Sequence, residues 1–121
     1  MKPLVYIASP YTRGNVCKNI RSSIDAFVAL LNTGDIVPIS PISMTHTIDI
    51  VHPHSWLRWM EYDMDLIARC DAVWRINSVW GEYVQEESRG ADMEVTEAER
   101  LGIPVFYEFS EIEEWAIGFR N

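Results

Sequence analysis

The stretch LVYIASPYTRGNVCKNIRSSIDAFVALLNTGDIVPI, residues 4–39, decides the fold. Leu4-Val5-Tyr6-Ile7-Ala8 is a continuous apolar run that stops at Ser9-Pro10. Runs of this kind fit strands covered on both faces, as in a parallel sheet. From Asn15 to about Asn32, Val16, Ile20, Ile24, Phe27, Val28 and Leu31 recur at helical spacing. Asn15 suits the N-cap and Gly34 the C-terminal stop. Ile36-Val37-Pro38-Ile39 then reads as a second strand, which Pro38 assigns to a sheet edge. The stretch is therefore one strand–helix–strand unit.

The same alternation continues outward. Residues 40–52 read as a loop of mixed character. Pro53 to Cys70 reads as a helix with Pro53 in its first turn and Leu57, Met60, Met64, Ile67 and Ala68 on one face. Residues 71–76 are a third strand and residues 78–87 a polar loop. Ser88 to Leu101 is a helix closed by Gly102, and residues 103–107 are a fourth strand. Ser110 caps a last helix, with Glu113 placed for a capping box. No internal repeat or linker interrupts this order. It predicts a single α/β domain over residues 1–121, a parallel sheet of four or five strands with helices on both faces. Ligands of such sheets bind beyond the carboxyl ends of the strands, so the loops at 8–14, 40–52, 77–90 and 107–110 are the ones to inspect.

Composition narrows the function. The 121 residues are 48% hydrophobic and 23% charged, which fits a folded domain and not a disordered chain. The net charge of −8 speaks against a nucleic-acid polymer as partner, because a phosphate backbone needs a basic surface. Residues 1–60 carry five basic and three acidic side chains, residues 61–114 four and fifteen, so positive potential concentrates in the first half. A small anion remains compatible, since a local nest of N–H groups suffices to hold it. Cys17 and Cys70 form no zinc or redox motif and read as two buried thiols of a reduced protein. The apolar run near the N-terminus is too short for a signal peptide, and no stretch is long enough for a membrane span. A cytoplasmic protein that binds no membrane is expected.

Several loop residues carry chemistry. Ser9, Thr12 and Arg13, before Gly14 and a helix start, offer hydroxyl and guanidinium donors suited to a phosphate or a sugar hydroxyl. The turn is neither a P-loop nor a G-x-G-x-x-G. Gly90 lets backbone approach a ligand, and Glu94 follows one helical turn later. Close to a helix N-terminus, that carboxylate is expected to stay ionised. Taken alone, with Glu97 and Glu99 nearby, it reads as part of a solvated helix face. Asp63 and Asp65 point to nearly opposite sides of their helix, so only one faces a cleft. His46 sits just beyond strand two, where it can line a pocket. His52 and His54 read as a surface or capping pair, and the spacing of the three histidines matches no zinc pattern. Trp56 and Trp59 suit core packing first, with a base-binding slot or a subunit interface as the other possibilities.

Four segments in order give a resemblance. YIASPYTRG (6–14), PISMTH (41–46), MEYDMDLIARCDAVW (60–74) and SRGADMEVTEAERLGIPV (88–105) look like the nucleoside 2-deoxyribosyltransferase superfamily. The similarity is strongest to its small members, those that resemble 2′-deoxynucleoside 5′-phosphate N-hydrolases and uncharacterised bacterial and phage ones. It implies a flavodoxin-like (Rossmann-like) three-layer sandwich and cleavage of an N-glycosidic bond. By motif position the resemblance makes Glu94 the nucleophile toward C1′, Asp63 the residue that places the base or the reacting groups, and Tyr6 the residue that orients the Glu. Ser9, Arg13, Ser88 and Gly90 fall where the substrate's sugar or a 5′-phosphate would be held, and Gly14 and His46 are counted with them as candidate substrate-binding residues. It implies no cofactor, no metal and a homodimer or larger homo-oligomer.

The function expected is thus an N-glycosidase acting on a nucleoside or nucleoside 5′-monophosphate, hydrolysis being favoured over transfer for so short a chain. Two other readings stay open. One is a nucleotide-binding module without catalysis. The other is a metal-dependent phosphohydrolase built on His46, Asp49, His52 and His54.

Overall fold

Strand β1 (Leu4–Ala8) carries the rest of the molecule. The structure is a computed structural model, which describes residues 1–11, 14–77 and 88–119. β1 pairs in parallel with β2 (Val37–Ile39) on one side and β3 (Ala72–Arg75) on the other, and β3 pairs in parallel with β4 (Val105–Phe106). The order β2-β1-β3-β4 is that of a flavodoxin-like doubly wound sheet, with its switch point between β1 and β3. Five helices, α1 (Val16–Asn32), α2 (Pro41–Val51), α3 (Trp56–Ile67), α4 (Arg89–Arg100) and α5 (Phe109–Phe119), complete the described residues.

Successive strand residues face opposite sides, and each side has its own core. Val5, Ile7, Ala72 and Trp74 meet Ala26 and Leu30 of α1 and Ile112 and Ala116 of α5. Tyr6, Ala8 and Val73 meet Ile67 at the end of α3 and Ala91 and Ala98 of α4. The three layers of the expected α/β sandwich are present, and Pro38 lies on an edge strand as expected.

Local details depart from the sequence reading. Residues 41–51 are a helix, not a loop: Ser40 accepts from the Ser43 N–H and Pro41 opens the first turn. Its apolar residues spread around the axis, with Met44, Ile48, Ile50 and Val51 exposed, so no single stripe betrays it. α3 starts at Trp56, not at Pro53, because the Ser55 side chain caps it by accepting from the Arg58 N–H. Ser110 lies inside α5, whose first turn closes when the Ile112 N–H donates to the Glu108 carbonyl.

α1 is the expected helix turned the other way. Ile24, Val28 and Leu31 are exposed, and Asn19, Ser22, Ser23, Ala26 and Leu30 are buried. The buried polar residues are tied down: Asn19 Nδ2 donates to the Tyr11 carbonyl (2.8 Å), Ser22 Oγ to that of Asn77 (3.1 Å) and Ser23 Oγ to that of Ile20 (2.7 Å). Small hydrogen-bonded residues let the helix lie close on the sheet, which the apolar period alone does not reveal. Cys17 is exposed and only Cys70 is buried, its thiol pushed up to about 11 mainly by burial. The polar loop at 78–87 lies outside the described residues.

Candidate active site

A cavity of about 420 Å³ opens beside the switch point. Its floor comes from β1, and its walls from the loop after β1, from α2, from α3 and from the first turns of α4. Outward alternation of Val5 and Ile7 leaves Tyr6 on the α3/α4 side. α4 presents Ala91, Glu94, Val95 and Ala98 as its buried stripe, at helical spacing. Glu94 is thus a carboxyl set in an apolar stripe against the strand.

The Tyr6 hydroxyl donates a short hydrogen bond to Glu94 Oε2, and both residues are buried. Asp63 of α3 lies within hydrogen-bonding reach of both. Burial, then the negative charge of Asp63, holds the Glu94 carboxyl well above its ordinary range, and the Tyr6 hydrogen bond and the Arg75 charge oppose this. Asp63 is pushed up to about 6 by burial, against hydrogen bonds to Glu94 and Tyr6. Two carboxyls this close cannot both ionise cheaply, so the pair retains a proton above the usual carboxylate range. Burial and the neighbouring carboxylates also keep the Tyr6 phenol protonated and therefore a donor.

These facts correct two expectations. Glu94 is 6% exposed, so it does not belong to a solvated face. Nor does the helix start hold it ionised, because it lies in the second turn of α4, beyond the reach of the terminal partial charge. Of the two helix aspartates, Asp63 faces the cleft and Asp65 is exposed.

The walls are aromatic with polar edges. Trp56, Trp59 and Met60 of α3 line one side, and both tryptophans stand outside the two cores, so the expectation of core packing fails. Trp56 is 38% exposed and carries the Arg89 guanidinium 4.4 Å from its ring centroid. Trp59 Nε1 donates to Asp49 Oδ1 at 2.7 Å, and the His54 N–H donates to the same oxygen at 2.9 Å. These two bonds hold the Asp49 carboxyl below its ordinary range. The Tyr11 hydroxyl meets His46 Nδ1 at 2.6 Å. Ser9 Oγ is buried, lines the cavity and has no hydrogen-bond partner among the described residues.

Tyr6, Ser9, His46, Asp63, Ser88, Gly90 and Glu94 thus line one cavity. Ser88 caps α4, its Oγ accepting from the Ala91 N–H at 3.3 Å. Gly14, in a left-handed turn (φ +79°), is not among the lining residues, and Arg13 lies outside the described residues. His52 and His54 are exposed, as expected, with His54 Nδ1 2.6 Å from the His52 carbonyl, and His54 also reaches the rim of the cavity. Tyr11 and Arg89, which the sequence does not single out, also line the cavity, and so does Asp49, expected only in a metal-binding role. The signal for Asp49 is its spacing from Ile42, Thr45 and His46, which a loop reading of 40–52 conceals. Among the described residues, no three His, Cys, Asp or Glu side chains cluster with metal-holding geometry, and no helix is long and apolar enough to cross a membrane.

The chain is a doubly wound parallel α/β sheet with a carboxyl-floored, aromatic-walled cleft beside its switch point. The chain belongs to the family described as Domain of unknown function (DUF7768), whose model matches residues 3–108. No curated protein matches it. Among solved structures it is similar to the 2-deoxyribosyltransferase from the psychrotolerant bacterium Bacillus psychrosaccharolyticus, described as a biocatalyst for the synthesis of antiviral and antitumoral nucleosides. The TM-score is 0.57 at 20% identity, over 84% of this chain and 69% of that one. At that identity the likeness establishes a shared fold.

Proposed function

We propose that this protein is an enzyme of the nucleoside 2-deoxyribosyltransferase type, which cleaves the base–sugar bond of a nucleoside or nucleoside 5′-monophosphate. The observation that carries this reading is the buried Tyr6–Glu94 hydrogen bond with the half-buried Asp63 beside it at the floor of an aromatic cleft. The fold shared with a 2-deoxyribosyltransferase supports it.

In this reading the base lies against the Trp56/Trp59 wall and C1′ faces Glu94. Glu94 passes its proton to Asp63, and its carboxylate, oriented by the Tyr6 hydroxyl, attacks C1′. The C1′–N bond breaks as the C1′–O bond to Glu94 forms, and the departing base takes up a proton relayed by Asp63. Water then attacks C1′, Asp63 accepts its proton, and Glu94 is released. The transition state resembles an oxocarbenium ion, which an adjacent carboxylate stabilises. Asp63, coupled electrostatically to Glu94, serves in this reading as the proton store of the pair.

The unpartnered Ser9 hydroxyl and the start of α4 suit the sugar or a 5′-phosphate, and Asp49 offers an acceptor to the edge of the base. The exposed Ile24, Val28 and Leu31 of α1 give an apolar surface for a homodimer, which size-exclusion chromatography tests. The primary test is a chromatographic screen of ribo- and deoxynucleosides and their 5′-monophosphates, with Glu94→Ala as control. Release of free base that depends on Glu94 is expected, with hydrolysis exceeding transfer to an added base. Release at an unchanged rate in the variant would overturn the assignment of the nucleophile.

A further inference from the structure

Arg75 is the last residue of β3, and its side chain has no exposed surface. A charge taken wholly out of water is costly unless it is compensated, so its position needs a reason. β3 alternates, so Arg75 projects to the same side of the sheet as Val73. Its partner in register is Ala8, and that of Val73 is Tyr6. This is the face on which α4 lies. There the guanidinium Nη2 is 3.3 Å from Asp92 Oδ1, and Nη1 donates a short bond to the Ile76 carbonyl. Asp92 Oδ2 in turn accepts the Ser88 N–H at 3.2 Å. One carboxylate therefore joins the end of β3 to the start of α4, the helix that carries Glu94.

We propose that Arg75 is a positioning residue for Glu94. Through Asp92 it fixes the first turn of α4 against β3, and it sets a buried positive charge on the face of the sheet where Glu94 lies. This rests on the reading of Glu94 as the nucleophile.

The groups around Glu94 support the electrostatic half. β1 contributes the neutral Tyr6 phenol, and α3 contributes Asp63, whose charge opposes ionisation. α4 itself adds Asp92, and the residues of β4, Val105 and Phe106, do not titrate. The positive charge of Arg75 acts on Glu94 in the other direction.

The test uses Arg75→Met, Arg75→Lys and Asp92→Asn in the full chain. It has two readouts: the pH dependence of kcat, and the ¹³C NMR titration of the Glu94 carboxyl, assigned with Glu94→Gln. Arg75→Met is expected to move the acid limb and the resonance midpoint up. Arg75→Lys, which keeps the charge, restores most of that shift. Asp92→Asn removes a negative charge and leaves the cation, so both readouts move down. The partly exposed Asp92 makes this variant independent of whether Arg75→Met folds.

A uniform loss of kcat in Arg75→Met with an unmoved limb and midpoint would reduce Arg75 to a structural role and overturn the proposal. So would an Asp92→Asn midpoint that moves up. The NMR titration separates the two ideas. Midpoint shifts without turnover on any nucleoside refute the glycosidase reading and keep the Arg75–Glu94 coupling. Turnover that depends on Glu94, with unmoved midpoints, does the reverse.

Discussion

Replacing Asp63 by Asn should stabilise the protein while impairing its chemistry. The folded-state pKa of Asp63 rises from the ordinary 3.8 to about 6, chiefly by burial. A carboxyl raised in this way favours the fold when protonated. That contribution is full below about pH 4 and is lost as pH climbs through about 6. The rise corresponds to about 3 kcal/mol once both states are ionised, taken as an upper bound. Asp63 keeps part of its surface in water, which lowers the expected gain in Asp63→Asn to about 2 kcal/mol at pH 7.5. Asparagine retains hydrogen-bonding capacity toward Glu94 and Tyr6, and removing one negative charge also relieves Glu94. Urea unfolding at pH 7.5 and pH 4 provides the assay. The variant should be more stable at pH 7.5 and nearly equal to the natural protein at pH 4, where both carry an uncharged side chain. A variant no more stable at pH 7.5, or equally stabilised at both pH values, would refute the claim that a buried, charge-repelled carboxyl pair sits in this cleft.

Glu94→Gln should leave the fold intact and cut turnover by about a thousandfold or more, as loss of an activated nucleophile does, in the same chromatographic assay. Tyr6→Phe removes one buried hydrogen bond. About 1 kcal/mol of stability should go with it, and kcat should fall roughly 10- to 100-fold as Glu94 loses its orientation; urea unfolding and initial rates measure both. At Gly90 a Cβ would meet Met60 Sδ at 3.6 Å and Trp56 Nε1 at 3.9 Å, which is ordinary contact. Gly90→Ala should therefore gain about 0.5 to 1 kcal/mol from helix propensity, while KM rises because the methyl group occupies the cavity wall.

Much of the architecture is legible because it rests on strong periods. The Leu4–Ala8 run, the Ser88 cap and the Gly102 stop each combine pattern with local chemistry, and they bound real elements. α2 escapes the same reading because its apolar residues are spread around its axis; among them only Pro41 is buried. The orientation of α1 escapes it too, since serines and Asn19 are buried by hydrogen bonds that no hydropathy period registers. Within the cleft, Glu94 looks like one surface glutamate among three until its spacing from Ala91, Val95 and Ala98 is weighed. Glu97, one turn further on, pairs with Arg100 at the surface. The trio itself is a long-range fact: 88 residues separate Tyr6 from Glu94, and only the sheet brings them together.

Tyr6 belongs to an inner strand of the sheet and to one of its two cores as well as to the floor of the cleft. Its amide is held in the ladder that opens last when a domain breathes, so its protection against hydrogen exchange should approach that of global unfolding. Heat therefore disorders this floor only together with the core of the domain. Inactivation and melting should follow a single curve, and stability and chemistry cannot be tuned separately at this side chain.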